Sequence, residues 1–402
     1  MSFTTGAALL AALCLLLALS GCGGEKPLLD QPIKTLTCVE PTALPTLVPL
    51  GDGRVLAGWV DYENEMTHLS VVDVAADKEL AAQTLEGCWE LQTEQFTDGS
   101  AVLFNWDGGA WQFIDASLTV TKTFHAEQYG GVFSHDGGTY YFVQDDVLCR
   151  ADVASGQTER VPLSSELRFM DVAGIFPDSE TLFLHCLLSP YSTESGTVIL
   201  DTATGEYAML QKEWYAPYYG QSGPEFLRFN NQDMGYDVLY PAGDQYYQAD
   251  AALLHASEAD LFPLSGSPYL LGAADDATLY RLESGISACL LSSDQLGGTF
   301  RGAVWLPEEI IVGGVYGNGQ FRLAAIDPAQ LTFTHITDAA AVESPLAVDT
   351  SLTEVYWNSL NGQPLPATLQ EAREYADRLE ERYGVTILLS AQAQEACDAV
   401  WD

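Results

Sequence analysis

The chain has 402 residues, of which 47% are hydrophobic and 11% aromatic, and its 56 acidic and 16 basic side chains give a formal net charge of −40. This apolar content suffices for a packed core and excludes an intrinsically disordered chain. The negative charge repels phosphate, which excludes nucleic acid as a partner and disfavours peripheral binding to anionic lipid headgroups. Cations and basic surfaces are the partners that such a surface favours.

An apolar run from Ala7 to Leu19 opens the chain and is followed by the small residues Ser20 and Gly21 and then by Cys22. The run is shorter than the about 20 residues that span a bilayer, and the pattern is typical of a secretory signal. No Lys or Arg precedes the run, so an ordinary buried apolar helix is the alternative interpretation.

The sequence Leu19-Ser20-Gly21-Cys22 resembles the lipobox of bacterial surface lipoproteins, in which the cysteine thiol is acylated and the chain is cut just before it. The resemblance implies a signal peptide over residues 1–21, a lipid on Cys22 and a tether over residues 22–32. It also implies that the protein is anchored to the cell membrane on its extracytoplasmic side.

Six cysteines follow Cys22, and they are widely dispersed without a CxxC pair, which excludes a zinc knuckle and a thioredoxin-type motif. These cysteines can form disulfides or remain as small, buried apolar side chains. Their spacing favours no particular disulfide connectivity. They are Cys38, Cys88, Cys149, Cys186, Cys289 and Cys397.

Two classes of turn alternate over residues 33–365. The first precedes a β-rich run, as at Gly51-Asp52-Gly53, Asp98-Gly99 and Asp136-Gly137. It recurs at Asp178, Asp275, Glu308 and Asp349, with a poorer copy at Ser222. The second begins with an aspartate that can bond its own backbone. Its seven copies, spaced 33 to 49 residues apart, are Asp73, Asp115, Asp152, Asp201, Asp250, Asp294 and Asp327.

Alternating turns with four strands per period of about 40 to 50 residues are typical of a β-propeller. Residues 152–156 and 201–205 resemble the D-x-x-T-G turn of PQQ-like propeller repeats, and the pattern is similar to WD40-like repeats. That family's tryptophan is missing after Gly156 and Gly205, so the resemblance implies no cofactor. A β-sandwich or two stacked sheet domains are the alternatives, but a sandwich runs out of strands after about 100 residues.

We therefore predict an all-β propeller of seven or eight four-stranded blades over residues 33–365, closed by an N-terminal strand from Ile33 to Val39. A leftover strand pair between Asp349 and Trp357 favours eight blades.

A different pattern begins at residue 366. Thr368 and Glu371 form a capping box for a helix that ends at Gly384, and a strand follows at residues 385–389. This tail, residues 366–402, is too short to fold alone, so it docks on the propeller or opens an incomplete further domain. Residues 376–387 resemble the lead-in to a zinc metallopeptidase domain, but the H-E-x-x-H of that chemistry is absent.

No catalytic motif is present, since the chain contains neither a G-x-S-x-G elbow nor a Gly-rich phosphate loop. The six histidines lack the spacing of metal ligands. His185 lies within an apolar strand, which favours a histidine of the core. Asn231 to Asp237 offers alternate oxygen ligands but lacks the downstream Glu of a calcium loop, which favours a solvated loop. We predict no catalytic residue, no metal and no cofactor.

The aromatic cluster of residues 213–220 is the best candidate for partner binding, as a loop that offers a platform to a sugar ring or a peptide. The alternative is that it packs between blades. The residues concerned are Trp214, Tyr215, Tyr218 and Tyr219.

Together these features predict a monomeric, lipid-anchored, extracytoplasmic propeller that binds a protein or glycan partner without catalysis. The first alternative is a carbohydrate-active propeller enzyme with a carboxylate pair at the channel mouth. An accessory module of a larger surface protein is the second.

Overall fold

The structure, a computed structural model, describes residues 29, 31–94, 96–126, 130–161, 168–175, 181–187, 195–202, 206–211, 216–219, 224–230, 235–243, 245–249, 254, 260–273, 277–315, 319–342, 348–349, 358–359, 374 and 387–388.

Seven antiparallel sheets form the blades of a β-propeller. The first strand, β1 (Ile33–Leu36), belongs to the last blade, and every other blade takes four consecutive strands, named a to d from the channel outward. Blade 1 contains β2 (Thr46–Gly51), β3 (Arg54–Asp61), β4 (Met66–Asp73) and β5 (Lys78–Glu86). Blade 2 contains β6 (Trp89–Leu91), β7 (Ala101–Asn105), β8 (Ala110–Ile114) and β9 (Val120–His125). Blade 3 contains β10 (Val132–Phe133), β11 (Thr139–Gln144), β12 (Val147–Asp152) and β13 (Thr158–Arg160).

The remaining four blades follow the same order. Blade 4 contains β14 (Arg168–Ile175), β15 (Thr181–Leu187), β16 (Ser195–Asp201) and β17 (Glu206–Gln211). Blade 5 contains β18 (Ala216–Tyr219), β19 (Pro224–Asn230), β20 (Gly235–Ala242) and β21 (Gln245–Ala249). Blade 6 contains β22 (Asp260–Pro263), β23 (Tyr269–Ala273), β24 (Ala277–Leu282) and β25 (Gly285–Leu291). After the short helix α1 (Ser293–Leu296), blade 7 contains β26 (Thr299–Leu306), β27 (Glu309–Val315), β28 (Phe321–Ile326) and, as its outer strand, β1.

Pairing of β1 with β28 closes the ring, which confirms the predicted N-terminal closing strand. Ile33 lies opposite Ile326, and Leu36 lies opposite Leu323. Leu36 and Leu323 are fully buried in a cluster that blade 7 shares with blade 1. The first and last blade strands of the chain therefore complete one sheet.

The ring has seven blades, one of the two numbers predicted, and the preference for eight was wrong. Residues 350–357, most of the leftover pair behind that preference, lie outside the described residues. Three of the described strands after blade 7 add to existing sheets. β29 (Thr334–Asp338) pairs with β25, β30 (Ala340–Val342) pairs with β21, and β32 (Asn358–Ser359) pairs with β17. These three strands, called here the C-terminal strap, give blades 6, 5 and 4 a fifth, outer strand.

Two further short strands, β31 (Val348–Asp349) and β33 (Ile387–Leu388), form a parallel pair. β33 confirms the strand predicted near the end of the tail. The predicted tail helix lies outside the described residues, except for Glu374, which is helical. Among the residues that the structure describes, no helix is both long enough and apolar enough to cross a membrane.

The hydrophobic core lies between neighbouring blades, and each described cluster of buried residues draws on two of them. The interface of blades 2 and 3 is aromatic. Phe133 is 2% exposed, and its ring centroid lies 4.7 Å from that of Tyr140 and 5.0 Å from that of Trp111. Gly131 brings its backbone N–H within 3.0 Å of the Tyr140 hydroxyl, and a Cβ there would collide with the backbone of Tyr141. Face-to-face packing of the blades thus fixes where their loops project.

Aspartates of both the a–b and the c–d turns bond their own turn backbone, which the sequence predicted for the c–d turns. Asp136 Oδ1 accepts the N–H of Gly138 at 2.8 Å, and Asp152 Oδ1 accepts that of Ser155 at 2.7 Å. The side-chain hydrogen bonds from Ser134 and Ser155 are the main cause that lowers the pKa of Asp136 and Asp152. In an antiparallel blade all a–b and c–d turns lie at one end, so these aspartates line one face of the ring, called here the lower face.

We expect Leu36→Ala to lower the free energy of unfolding by about 2–5 kcal/mol, since it leaves a cavity where the ring closes. Leu80→Ala is the matched control, because Leu80 is 46% exposed on the outer strand of blade 1 and loses the same atoms. Urea unfolding followed by far-UV circular dichroism measures both. Equal midpoints for the two variants would contradict the role of β1 in closing the ring.

Candidate functional site

The opposite face of the ring, called here the upper face, carries the b–c turns and the connections between blades. Two of its b–c turns share one construction. In blade 1, Asp61 Oδ1 accepts the backbone N–H of Glu63 at 3.1 Å and of Asn64 at 3.2 Å. Such a turn leaves its tip residue, Tyr62, 65% exposed. The polar residue that ends strand b thereby projects the aromatic that follows it.

Blade 2 repeats this arrangement with an asparagine. Asn105 Oδ1 accepts the N–H of Asp107 at 2.9 Å and of Gly108 at 3.2 Å, and Trp106 between them is 51% exposed. The Trp106 ring meets that of Phe104 edge to face at a centroid distance of 4.9 Å. Trp106 is therefore held by its turn and by the ring of Phe104.

Glu90 joins the two aromatics across the boundary between blades 1 and 2. The Tyr62 hydroxyl donates to Glu90 Oε1 at 2.6 Å, and Trp106 Nε1 donates to Glu90 Oε2 at 2.7 Å. Each carboxylate oxygen thus holds the polar edge of one ring. Tyr62, Glu90 and Trp106 are called here the aromatic–carboxylate cluster.

The backbone beneath the cluster is fixed by Thr67, which is fully buried on β4. Its Oγ1 donates to the carbonyl of Gly87 at 2.9 Å and accepts the N–H of Trp89 at 2.7 Å. These bonds tie the connection between blades 1 and 2 to blade 1. Because Glu90 follows Trp89 directly on β6, the position of the carboxylate is set by the fold rather than by a free loop.

The cluster lies in a strongly negative environment. The pKa of the Cys88 thiol is raised by burial and by the charges of Glu65, Asp107, Glu90 and Asp61. The hydrogen bond to Glu90, with burial and the Glu90 charge, raises the pKa of Tyr62 to about 12. Tyr62 is therefore a neutral hydrogen-bond donor over the whole physiological pH range.

The residues proposed from sequence for partner binding are only partly covered by the structure. Trp214 and Tyr215 lie outside the described residues, in the segment between β17 and β18. Tyr218 and Tyr219 lie in β18, the inner strand of blade 5, so the expectation that they belong to a loop was wrong. Their role in partner binding stays a prediction, as does lipidation of Cys22, which also lies outside the described residues.

The other candidate residues have structural positions. His185 is an interior histidine, as predicted, with a side chain 12% exposed and Nδ1 2.8 Å from Asp171 Oδ1. The segment considered for calcium begins outside the described residues and ends, from Gly235, inside β20. Within the described ranges, no three His, Cys, Asp or Glu side chains form a group that could hold a metal ion. The five cysteines that the structure describes are free thiols.

Sequence reasoning missed the aromatic–carboxylate cluster. The available signal was the repeated order of an Asp or Asn, an aromatic and an acid, at Asp61-Tyr62-Glu63 and Asn105-Trp106-Asp107. Both copies follow a predicted strand, which places each aromatic at the tip of an Asx-type turn. The contribution of Glu90 had no sequence signal, because it depends on how two blades pack.

The sequence matches no protein-family model and no curated protein. Among solved structures, the WD40 repeats of RRP9 are similar at 10% identity, covering 75% of this chain and 98% of that one with a TM-score of 0.44. The β-propeller domain of the Trilobed protease from Pyrococcus furiosus is similar at 10% identity, covering 74% and 99% with a TM-score of 0.44. A puromycin hydrolase mutant is similar at 11% identity, covering 75% of this chain and 54% of that one with a TM-score of 0.48, so the chain spans about half of its length. The propeller assignment itself rests on the sheets described above.

We expect Glu90→Gln to lower the pKa of Tyr62 from about 12 toward its ordinary value, because the substitution removes the charge that holds the phenol proton. The Cζ shift of Tyr62 in ¹³C-tyrosine-labelled protein, assigned by its loss in Tyr62→Phe, reports this titration between pH 8 and pH 12. An unchanged titration in Glu90→Gln would show that Tyr62 does not donate to Glu90 in solution.

Proposed function

We propose that the chain is a lipid-anchored, extracytoplasmic β-propeller that acts as a non-catalytic binding module for a protein partner through its upper face. The observation that carries the proposal is the aromatic–carboxylate cluster, in which two large aromatic side chains are 65% and 51% exposed yet held by hydrogen bonds. Exposed aromatics of this kind are enriched where proteins bind partners. Residues already fixed before binding lose little conformational entropy on complex formation.

The anchor is supported by the sequence Leu19-Ser20-Gly21-Cys22 and by the short distance from Cys22 to the first strand, which begins at Ile33. Leu29 is already buried against blades 7 and 1, so the tether extends only from Cys22 to Leu29. An extended chain covers at most about 3.6 Å per residue, which gives this tether a reach of only about 25 Å. Such a tether keeps the propeller near the membrane, within reach of other envelope proteins.

The test of binding is a cross-linking capture in cells that express the tagged full chain. We expect wild type and Leu290→Ala to retain the same partner, and Trp106→Ala to lose it, because the Trp106 ring supplies contact area. Leu290 is the matched control, since it is 66% exposed on β25, away from the cluster. All three proteins should unfold at the same temperature.

Two results of this experiment would overturn the proposal. One is an identical set of cross-linked proteins for wild type and Trp106→Ala. The other is hydrolysis of a glycan by the purified full chain, which would favour the alternative of a carbohydrate-active propeller enzyme.

The test of the anchor is membrane fractionation of cells that express wild type or Cys22→Ala. We expect wild type in the membrane fraction and Cys22→Ala in the soluble extracytoplasmic fraction or as an uncleaved precursor, because only the thiol of Cys22 can carry the lipid. Metabolic labelling with a palmitate analogue should mark wild type alone. Labelling of Cys22→Ala to the same extent would exclude this residue as the anchor.

A further inference from the structure

We propose that the aromatic–carboxylate cluster recognises an arginine side chain of the protein partner, a proposal that rests on the function proposed above and names the chemistry of its ligand. The guanidinium would stack on the exposed ring of Trp106 and donate hydrogen bonds to carboxylates beside it. Three observations carry this inference: the charge around the cluster, the state of its hydrogen-bonding groups and the exposure of its rings.

The charge around the cluster is of one sign. The three segments that build it, residues 61–66, 86–91 and 104–110, contain six acidic residues and no Lys or Arg. The acidic residues are Asp61, Glu63, Glu65, Glu86, Glu90 and Asp107. The whole chain adds to this field, with a net charge of −40. A cationic group is therefore attracted to this part of the upper face, whereas an anionic or phosphorylated ligand is repelled.

The hydrogen-bonding groups of the cluster favour a ligand that only donates. The Tyr62 hydroxyl, the Trp106 indole N–H and the Asn64 amide already donate to carboxylates of the cluster and its turn. The carboxylates around the cluster offer a ligand oxygen atoms, which accept hydrogen bonds. A guanidinium has five N–H donors and no acceptor, so it matches such a surface, whereas sugar hydroxyls need donors as well as acceptors.

The exposure of the rings favours arginine over lysine. The polar edges of Tyr62 and Trp106 are bound to Glu90, and the two side chains are 65% and 51% exposed, so a ligand meets mainly apolar ring carbons. A planar guanidinium stacks on an aromatic face and keeps its own hydrogen bonds in its plane, while an ammonium is a strongly hydrated point charge. Carboxylates next to an aromatic face thus form a site for an arginine side chain: the ring contacts the plane of the guanidinium, and the carboxylates accept its N–H groups.

The test is fluorescence anisotropy of a fluorescein-labelled peptide in which arginine and glycine alternate, titrated with the full chain in detergent micelles. We expect binding that weakens as salt increases. Glu90→Gln and Trp106→Ala should each weaken it about tenfold, a loss that matches a desolvated cation–π or charged contact. The same peptide with citrulline in place of arginine should not bind, because citrulline keeps the shape and lacks the charge.

Glu308→Gln is the matched control for Glu90→Gln. Glu308 is exposed in the a–b turn of blade 7, on the lower face, so its substitution removes the same charge far from the cluster. We expect it to bind the peptide like wild type. Tyr62→Phe, which removes only a hydroxyl, keeps the test valid if Glu90→Gln does not fold, and it should also weaken binding.

The outcomes separate this inference from the proposed function. Equal weakening by Glu308→Gln, or equal binding of the citrulline peptide, would show that the net charge alone or the peptide backbone binds, and would overturn the arginine site. Trp106-dependent binding of a neutral chitin oligosaccharide without peptide binding would overturn it in favour of a glycan ligand. If the arginine peptide does not bind while Trp106→Ala still loses the cross-linked partner, the proposed binding function stands and the arginine assignment is wrong.

Discussion

Pairing of β1 with β28 is the contact on which the rest of the ring depends. It joins residues near 33 to residues near 326, and two hydrogen bonds extend it: from Asp327 N to the Pro32 carbonyl at 2.8 Å and from Gln330 Nε2 to the Leu29 carbonyl at 2.7 Å. A blade buries both of its faces only against two neighbours, so an open ring would expose one face of blade 1 and one of blade 7. Closure pairs strands that lie far apart in sequence, so it carries a large loop-closure entropy cost.

The C-terminal strap addresses a second constraint, the outer edges of the sheets. An exposed edge strand offers unpaired backbone groups to other chains and invites aggregation. β29, β30 and β32 cover the edges of blades 6, 5 and 4, in the reverse of chain order. In the part of the chain that the structure describes, blades 1 to 3 have no fifth strand. Their outer strands carry exposed charges, such as Lys78, Glu79 and Glu159, which discourage edge pairing by charge instead.

The architecture could be predicted from turn chemistry, and the blade count could not. In blades 1 to 4 the predicted turns fall between strands a and b and between c and d, as the repeat requires. In blades 5 and 6 the pattern slips: Asp250 follows β21, Asp294 lies in α1, and Asp275 lies between β23 and β24. An aspartate stabilises any tight turn in the same way, so it marks a turn without saying which pair of strands the turn joins. The preference for an eighth blade came from residues 349–357, of which the structure describes only Asp349, in the short strand β31.

The two faces of the ring contain similar turns with different roles. This difference explains why the upper face is the better candidate for binding. On the lower face, carboxylates such as Asp136 and Asp152 accept hydrogen bonds from their own turns, which stabilise the blade and leave little for a ligand. On the upper face the same turn chemistry carries an aromatic at its tip, and Glu90 of the inner strand fixes two such tips, Tyr62 and Trp106, at once. Neither blade alone contains this arrangement. It exists because blades 1 and 2 pack in one register within a closed ring, so the site is a product of the fold and not of any single motif.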